Sequence, residues 1–213
     1  MMEIIKIIAG IVTAYLIGSI PSAVWVGKAF YGVDVRTRGS GNAGATNTIR
    51  VLGLKAGIPV LLFDVFKGWL AVYLAHFFFP GYFDEVQKTN FEIITAAVVV
   101  LGHVFPVFAG FKGGKGIATL VGVGIALYPY EVYIVIAIFV VMLLLFRYVS
   151  LASITASVAF PFIVVFGFHQ KSVALILLAV FVGVFIPVTH RKNIKRLING
   201  TESKFSTGKK NSK

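Results

Sequence analysis

Long apolar segments alternate with short polar ones along nearly the whole chain. The apolar segments cover about residues 4–29, 57–79, 91–110, 117–128, 130–146, 151–168 and 173–188. A helix needs about 20 residues to cross the hydrocarbon core of a bilayer, and the ten-residue alternation typical of a membrane β-barrel is not present. The pattern therefore predicts an all-α fold, a polytopic helical bundle with seven transmembrane helices.

The number seven depends on segment 117–128, which on length alone would also fit a re-entrant helix. The basic residues favour a full crossing. The loop from Arg36 to Lys55 and the segment after His190 are both basic, and basic loops stay in the cytoplasm. An even number of crossings must then separate them. We therefore count 117–128 as a span, with the N-terminus outside and the C-terminus cytoplasmic.

The composition agrees with a membrane protein. Of the 213 residues, 58% are hydrophobic, the formal net charge is +12 and the mean hydropathy is +0.91, which excludes an ordinary soluble domain. The chain has no cysteine, so disulfides, thiolate metal sites and cysteine nucleophiles are excluded. We predict a single transmembrane domain over residues 1–204, monomeric, with the lipid bilayer and no nucleic acid as a partner. A basic flexible tail over 205–213 is predicted to follow.

A polar, glycine-rich stretch, GSGNAGATNTIR from Gly39 to Arg50, separates the first two apolar segments. Glycines let successive backbone N–H groups converge on one point, and the positive end of a helix that begins there adds to the attraction for an anion. A plain loop of turn residues is the alternative, but four hydroxyl or amide side chains exceed what a turn requires. We predict a phosphate site formed by Gly39, Ser40, Gly41, Asn42, Gly44, Thr46 and Asn47.

A second polar turn, KGGKG from Lys112 to Gly116, follows the third apolar segment. Its two ammonium groups and three glycines suit a dianionic ligand. It is not a Walker A loop, because Lys115 is followed by Gly116 rather than by Ser or Thr. From these residues alone, a flexible basic turn at the cytoplasmic face is an equally good interpretation.

Polar residues inside the spans have a structural interpretation beside the functional one. Asp64 and Lys67 lie one helical turn apart and are expected to pair with each other. His103 is expected to be a hydrogen-bonded packing residue, and close helix packing is the simpler explanation for Ser153.

His190, Arg191 and Asn193 follow the last span, where interfacial anchoring explains each of them slightly better than function does. The chain has eight carboxylates, and none cluster on the predicted cytoplasmic side. This argues against a magnesium-dependent phosphotransferase with paired aspartates, so no metal site is predicted.

Three separated motifs resemble, in their order, those of the bacterial acyl-phosphate:glycerol-3-phosphate acyltransferase family, integral membrane enzymes that make lysophosphatidic acid. GSGNAGATN with Arg50 is similar to the first motif, GHVFPVFAGFKGGKGIAT to the second, and HRKN with the later Glu202 to the third. The resemblance covers nearly the whole chain. It implies transfer of an acyl group from acyl phosphate to the sn-1 hydroxyl of glycerol-3-phosphate, the first committed step of bacterial phospholipid synthesis.

The resemblance also implies roles for individual residues. The implied catalytic residues are Ser40, Arg50, Lys115, His190 and Asn193. Glycerol-3-phosphate is held by Arg50, Gly113, Gly114, Lys115, Gly116, Ser153, His190 and Asn193, and Glu202 is structural. The stretch 39–47 then binds the acyl phosphate. This donor is already activated, so no cofactor, metal, coenzyme A or acyl carrier protein is expected. The site is expected at the cytoplasmic face of the cell (inner) membrane.

Three groups can accept the proton of the attacking hydroxyl: His190, Ser40 as a covalent relay, or a phosphate oxygen of the donor. His190 lies among cations, which suits phosphate binding. We expect direct transfer without an acyl-enzyme, in which His190 orients glycerol-3-phosphate, Ser40 binds the donor phosphate and that phosphate takes the proton. The alternative function is a membrane carrier for an organic phosphate, which would need polar residues through several spans.

Overall fold

The computed structural model describes residues 1–205, which contain ten α-helices and no β-strand. The predicted all-α fold is therefore confirmed for that part of the chain. The helices are α1 (Met2–Ser19), α2 (Ser22–Tyr31), α3 (Ala45–Leu52), α4 (Leu54–Ala75), α5 (Glu85–Val104), α6 (Ile117–Leu127), α7 (Glu131–Phe146), α8 (Val149–Phe162), α9 (Val173–Thr189) and α10 (Arg191–Ile198). Of the predicted tail at 205–213, only Phe205 is described, and its N–H donates to the Arg147 carbonyl. Residues 206–213 lie outside the described residues.

Among residues 1–205, four helical stretches are long and apolar enough to cross a bilayer: Met2–Ser19, Leu54–Phe78, Glu85–Ala109 and Val149–Gly167. A fifth crossing results if α9 and α10, which meet at an angle of 59°, are counted together. Helices α6 and α7 are apolar but shorter. At 1.5 Å per residue, the 11 residues of α6 extend only about 16 Å, against about 30 Å of hydrocarbon.

The first predicted span is wrong as a single helix. It was expected to run over 4–29, but α1 ends at Ser19 and α2 begins only at Ser22. Pro21 lies at the break. A proline has no N–H to continue the helix, and its ring disfavours the helical conformation of the preceding residue. Ile20 accordingly takes an extended conformation, with φ −63° and ψ 111°.

The chain forms two compact units, the first covering Met1–Leu127 and the second beginning at Tyr128. In the first unit, α1 packs against α5 and α4 packs against α6. Both crossings are close. A side chain at Gly18 of α1 would collide with the Val99 carbonyl of α5, and one at Gly122 of α6 would collide with the Val65 carbonyl of α4. Small residues at such crossings let two backbones approach in lipid.

In the second unit, α8 packs against both α7 and α9. Tyr128, buried at the start of this unit, donates a 2.6 Å hydrogen bond to the Leu175 carbonyl and meets Phe160 edge to face at 4.9 Å. The unit turns large apolar side chains such as Leu144 and Leu145 outward, as expected for a surface that faces lipid.

Candidate active site

The glycine loop, residues 38–44, is shaped by one side chain from the helix that follows it. Asn47 is buried, and its amide nitrogen donates to the carbonyls of Val35 at 2.8 Å and Arg38 at 3.1 Å. Its amide oxygen accepts the N–H of Ser40 at 2.8 Å. Gly39 has φ +62°, and a side chain there would collide with this same oxygen. Asn47 therefore uses its hydrogen bonds to hold the loop.

Several donors of the glycine loop are left available by this arrangement. Within residues 1–205, the backbone N–H groups of residues 42–46 have no hydrogen-bond acceptor. They precede or begin α3, whose N-cap residue, Gly44, has no side chain to bond them. Within the same described residues, four side chains also have no hydrogen-bond partner: those of Ser40, Asn42, Thr46 and Arg50. Converging N–H groups at a helix start are a favourable site for a phosphate.

The KGGKG turn, residues 112–116, is bonded to the end of α5. The N–H of Gly113 donates to the Val104 carbonyl at 3.1 Å, and the N–H of Gly114 donates to the His103 carbonyl at 3.2 Å. The sequence suggested flexible backbone positions around a ligand, yet these two N–H groups are already engaged. Side chains at either glycine would collide with His103, at its carbonyl for Gly113 and at its ring for Gly114. The two glycines thus allow close packing rather than donate N–H groups.

Arg36 lies just before the glycine loop and binds the segment that leads into the KGGKG turn. Its guanidinium donates to the Ala109 carbonyl at 2.7 Å and pairs with Asp34 at 2.8 Å. The hydrogen bond from Arg36 holds the pKa of Asp34 well below its usual range, although burial opposes this. The same pairing raises the pKa of Arg36. Both charges are therefore kept, and the two polar loops of the first unit are fixed next to each other.

A buried ion pair on α4 binds the residues at the break between α1 and α2. Lys67 and Asp64 are 2.9 Å apart, with side chains 2% and 1% exposed, so the predicted pairing is confirmed. The Lys67 ammonium also donates to the Ile20 carbonyl at 2.9 Å, and Ser22 donates to Asp64 at 2.8 Å. Helix breaks at membrane depth need such substitutes for lost backbone hydrogen bonds.

A small pocket lies where these elements meet. Its walls come from the helix break, α4, the end of α5, the glycine loop and the KGGKG turn, namely Ile20, Pro21, Ser22, Ala43, Lys67, His103, Pro106, Gly113 and Gly114. All of them belong to the first unit. The expected hydrogen bond of His103 to its surroundings is absent from the described residues, since its Nδ1 is 3.7 Å from Asp64, beyond hydrogen-bonding distance.

In the second unit, Glu202 links α8 to α10. It accepts hydrogen bonds from Ser150 at 2.8 Å, Asn193 at 2.7 Å and Arg196 at 2.6 Å. Burial acts to raise the pKa of Glu202, but these hydrogen bonds outweigh it and place the pKa below its ordinary value. The carboxylate therefore adds stability above its ordinary pKa, and this is lost as the pH falls through the lowered value.

His190 and Ser153 are both buried in the second unit. His190 Nδ1 is 2.9 Å from the Ile186 carbonyl. A carbonyl only accepts, so this contact places a proton on Nδ1 and makes Nε2 of a neutral ring the acceptor. The Ser153 hydroxyl donates to the Val149 carbonyl one turn earlier at 2.9 Å, which fits its interpretation as a packing residue.

Comparison with known proteins decides the family. A family model described as glycerol-3-phosphate acyltransferase matches residues 8–200. The chain belongs to the glycerol-3-phosphate acyltransferase family. The family predicted from the three motifs is therefore confirmed, and Glu202 lies just beyond the matched residues.

Relatives in this family match more than nine-tenths of the chain. The glycerol-3-phosphate acyltransferase of Fusobacterium nucleatum is 49% identical over 92% of this chain and 96% of its own. That of Chlorobaculum tepidum is 42% identical over 96% and 98%. The crystal structure of PlsY (YgiH), an integral membrane glycerol 3-phosphate acyltransferase, in its glycerol 3-phosphate form has a TM-score of 0.82 at 39% identity and covers 94% of this chain and 96% of that chain. Its lysphosphatidic acid form gives 0.79. The protein is a membrane-embedded member of this family.

The sequence did not reveal the supporting roles of two residues. Asn47 was assigned to ligand binding, whereas its hydrogen bonds hold the backbone of the glycine loop. Arg36 was noted only as a basic loop residue, yet it fixes the approach to the KGGKG turn. Neither contact has a sequence signal, because both join residues whose separation along the chain follows no helical or strand period.

Proposed function

We propose that the protein transfers an acyl group from an acyl phosphate to the sn-1 hydroxyl of glycerol-3-phosphate, giving lysophosphatidic acid and inorganic phosphate. The hydroxyl oxygen forms the ester bond to the acyl carbon, the bond from that carbon to the phosphate oxygen breaks, and the hydroxyl proton leaves on the phosphate. We place this reaction at the first committed step of bacterial phospholipid synthesis. Family membership supports glycerol-3-phosphate as the acceptor.

The observation that carries the proposal is the pair of polar loops held side by side in the first unit. In the part of the chain that the structure describes, N–H groups of the glycine loop and the start of α3 are left without a hydrogen-bond acceptor. The KGGKG turn lies beside this loop, with Gly114 next to the Ala43 carbonyl. Two phosphorylated substrates need two adjacent anion sites. We assign the acyl phosphate to the glycine loop, with Ser40 donating to its phosphate.

As the family motifs imply, we propose glycerol-3-phosphate-binding roles for Arg50 and Lys115 of the first unit and, separately, for His190 and Asn193 of the second. The glycines of the KGGKG turn give that turn its shape. The donor is already activated, and its leaving phosphate accepts the proton, so no metal, coenzyme A or acyl carrier protein takes part. His190 orients the substrate rather than acting as the base. Preorganised donors around the developing charge supply the stabilisation of the transition state.

The donor is tested with the purified protein in detergent, given glycerol-3-phosphate and either a long-chain acyl phosphate or the matching acyl-coenzyme A. We expect lysophosphatidic acid from the acyl phosphate alone, at an unchanged rate in EDTA. Turnover only with the coenzyme A thioester, or activity that EDTA abolishes and magnesium restores, would contradict the proposal. Glycerol-3-phosphate uptake into proteoliposomes without acylation would instead support a carrier.

We also propose seven crossings, with the N-terminus outside, the C-terminus in the cytoplasm and the active site at the cytoplasmic face of the cell (inner) membrane. Charge supports this, since the polar segments that carry Arg36, Lys112 and Lys192 are basic while the segment that carries Glu85 is acidic. In this seven-crossing topology, α6 and α7 are short spans, which bilayer thinning and flanking residues can accommodate.

Single cysteines introduced into the cysteine-free chain test this topology. We expect Lys112→Cys and Asn199→Cys to react with a membrane-impermeant thiol reagent only from the cytoplasm, and Glu85→Cys only from outside. All three residues are exposed in the structure. Reaction of position 112 from outside would exclude the single-sided site.

A further inference from the structure

His103 lies directly beneath the KGGKG turn. Its side chain is 6% exposed, its carbonyl accepts the N–H of Gly114, and its ring abuts the α-carbon of that glycine so closely that an added methyl group would overlap Nε2. On the other side of the ring, Nδ1 faces Asp64 at 3.7 Å. The imidazole thus fills the space between a buried ion pair and the turn.

The support behind His103 is rigid. Asp64 is fixed by Lys67 at 2.9 Å and by the Ser22 hydroxyl at 2.8 Å, and Lys67 is fixed in turn by the Ile20 carbonyl. These groups are almost fully buried, and close-packed interiors transmit small displacements rather than absorbing them. A change in the size of the residue at 103 should therefore move the turn.

We infer that His103 is a positioning residue. Its imidazole packs against Gly114 and so fixes the position of the KGGKG turn for binding glycerol-3-phosphate. The inference rests on the proposed function, which assigns that substrate to the turn. His103 acts through Gly114 and needs no contact with substrate. Its removal should weaken glycerol-3-phosphate binding while leaving acyl phosphate binding intact.

The two neighbouring glycines provide a matched pair for the test. A methyl group at Gly114 would collide with the His103 ring, and the next contact, the Ala43 carbonyl, is 3.0 Å away. A methyl group at Gly113 would collide with the His103 carbonyl, which every residue at 103 retains. Truncation of the His103 side chain therefore makes room at 114 and none at 113.

The experiment is a pair of double-mutant cycles, His103→Ala with Gly114→Ala and His103→Ala with Gly113→Ala. KM for each substrate, kcat and the midpoint of thermal unfolding in detergent are measured for every variant. We expect each single change to raise KM for glycerol-3-phosphate by about tenfold, as loss of binding shared by ground and transition states does. In the double variant at 103 and 114, the factor by which KM rises should be at least about fivefold smaller than the product of the two single factors. In the double variant at 103 and 113, the rise in KM should equal the product of the two single factors.

Multiplying effects in both pairs would overturn the inference, as would equal changes in the KM values of both substrates. If His103→Ala does not fold, His103→Gln and His103→Asn replace it. We expect Gln, whose amide reaches toward Gly114, to keep KM nearer the original value than the shorter Asn does; the reverse order would also overturn the inference. Wild-type turnover with acyl phosphate reports separately on the proposed function, since the cycles need only an active acyltransferase.

Discussion

Replacing Asp64 by Ala should destabilise the protein by about 3–5 kcal/mol, the range for removal of one partner from a buried ion pair. Lys67, whose side chain is 2% exposed, would lose the carboxylate 2.9 Å away and be left buried without an ionic partner. Ser22 would also lose its acceptor. The measurement is unfolding of the purified protein in detergent, by heat or by denaturant.

The chain contains a control with the same spacing. Glu3 and Lys6 also pair across three residues of a helix, at 3.2 Å, but their side chains are 37% and 44% exposed. Glu3→Ala should change stability by no more than about 1 kcal/mol. The double variant Asp64→Leu/Lys67→Met should lose less than Asp64→Ala, because it leaves no buried charge alone. Equal effects of Asp64→Ala and Glu3→Ala would show that the buried pair does not secure the helix break.

Asn47→Ala should reduce kcat/KM at least about 100-fold while the protein still folds. The change leaves the Ser40 N–H and the Val35 and Arg38 carbonyls without the partner that now holds them. Leaving one buried donor or acceptor without its partner costs about 1–3 kcal/mol in the free energy of the loop conformation. If about 1.4 kcal/mol of that cost is lost from transition-state stabilisation, the reaction slows tenfold. Steady-state kinetics with both substrates is the measurement.

Asn90→Ala, at an exposed position on α5, is the matched control and should leave kcat/KM unchanged. Asn47→Asp should lower kcat/KM nearly as much as Asn47→Ala does, because a carboxylate still accepts the Ser40 N–H but cannot donate to the two carbonyls. If Asn47→Ala keeps normal kinetics, the glycine loop does not depend on the side chain that we assign to it.

The helical class of this protein was predictable from hydropathy because lipid restricts the backbone so strongly. The three motifs likewise predicted the family. The helix break at Pro21 carried a readable signal, a proline within an apolar stretch, which the prediction of one continuous span did not use. The ion pair of Asp64 and Lys67 was correctly expected from helical spacing, since both residues belong to one helix.

Contacts between distant segments were not predictable in this way. A glycine in the KGGKG turn is compatible both with a flexible loop and with close packing, and only the position of His103 shows that Gly113 and Gly114 are needed for packing. In the same way, the amide of Asn47 suits either a ligand or the loop backbone. The sequence indicates the chemical type of such a group, whereas its partner is set by the tertiary fold.

Direct acyl transfer requires both substrates to be bound together, so the most direct test is a matrix of initial rates with glycerol-3-phosphate and acyl phosphate both varied, in EDTA. We predict reciprocal plots that intersect, one phosphate released for each lysophosphatidic acid formed, and no acyl label on Ser40 after denaturation. Parallel lines together with label retained on Ser40 would contradict direct transfer and show that a covalent acyl-serine lies on the pathway.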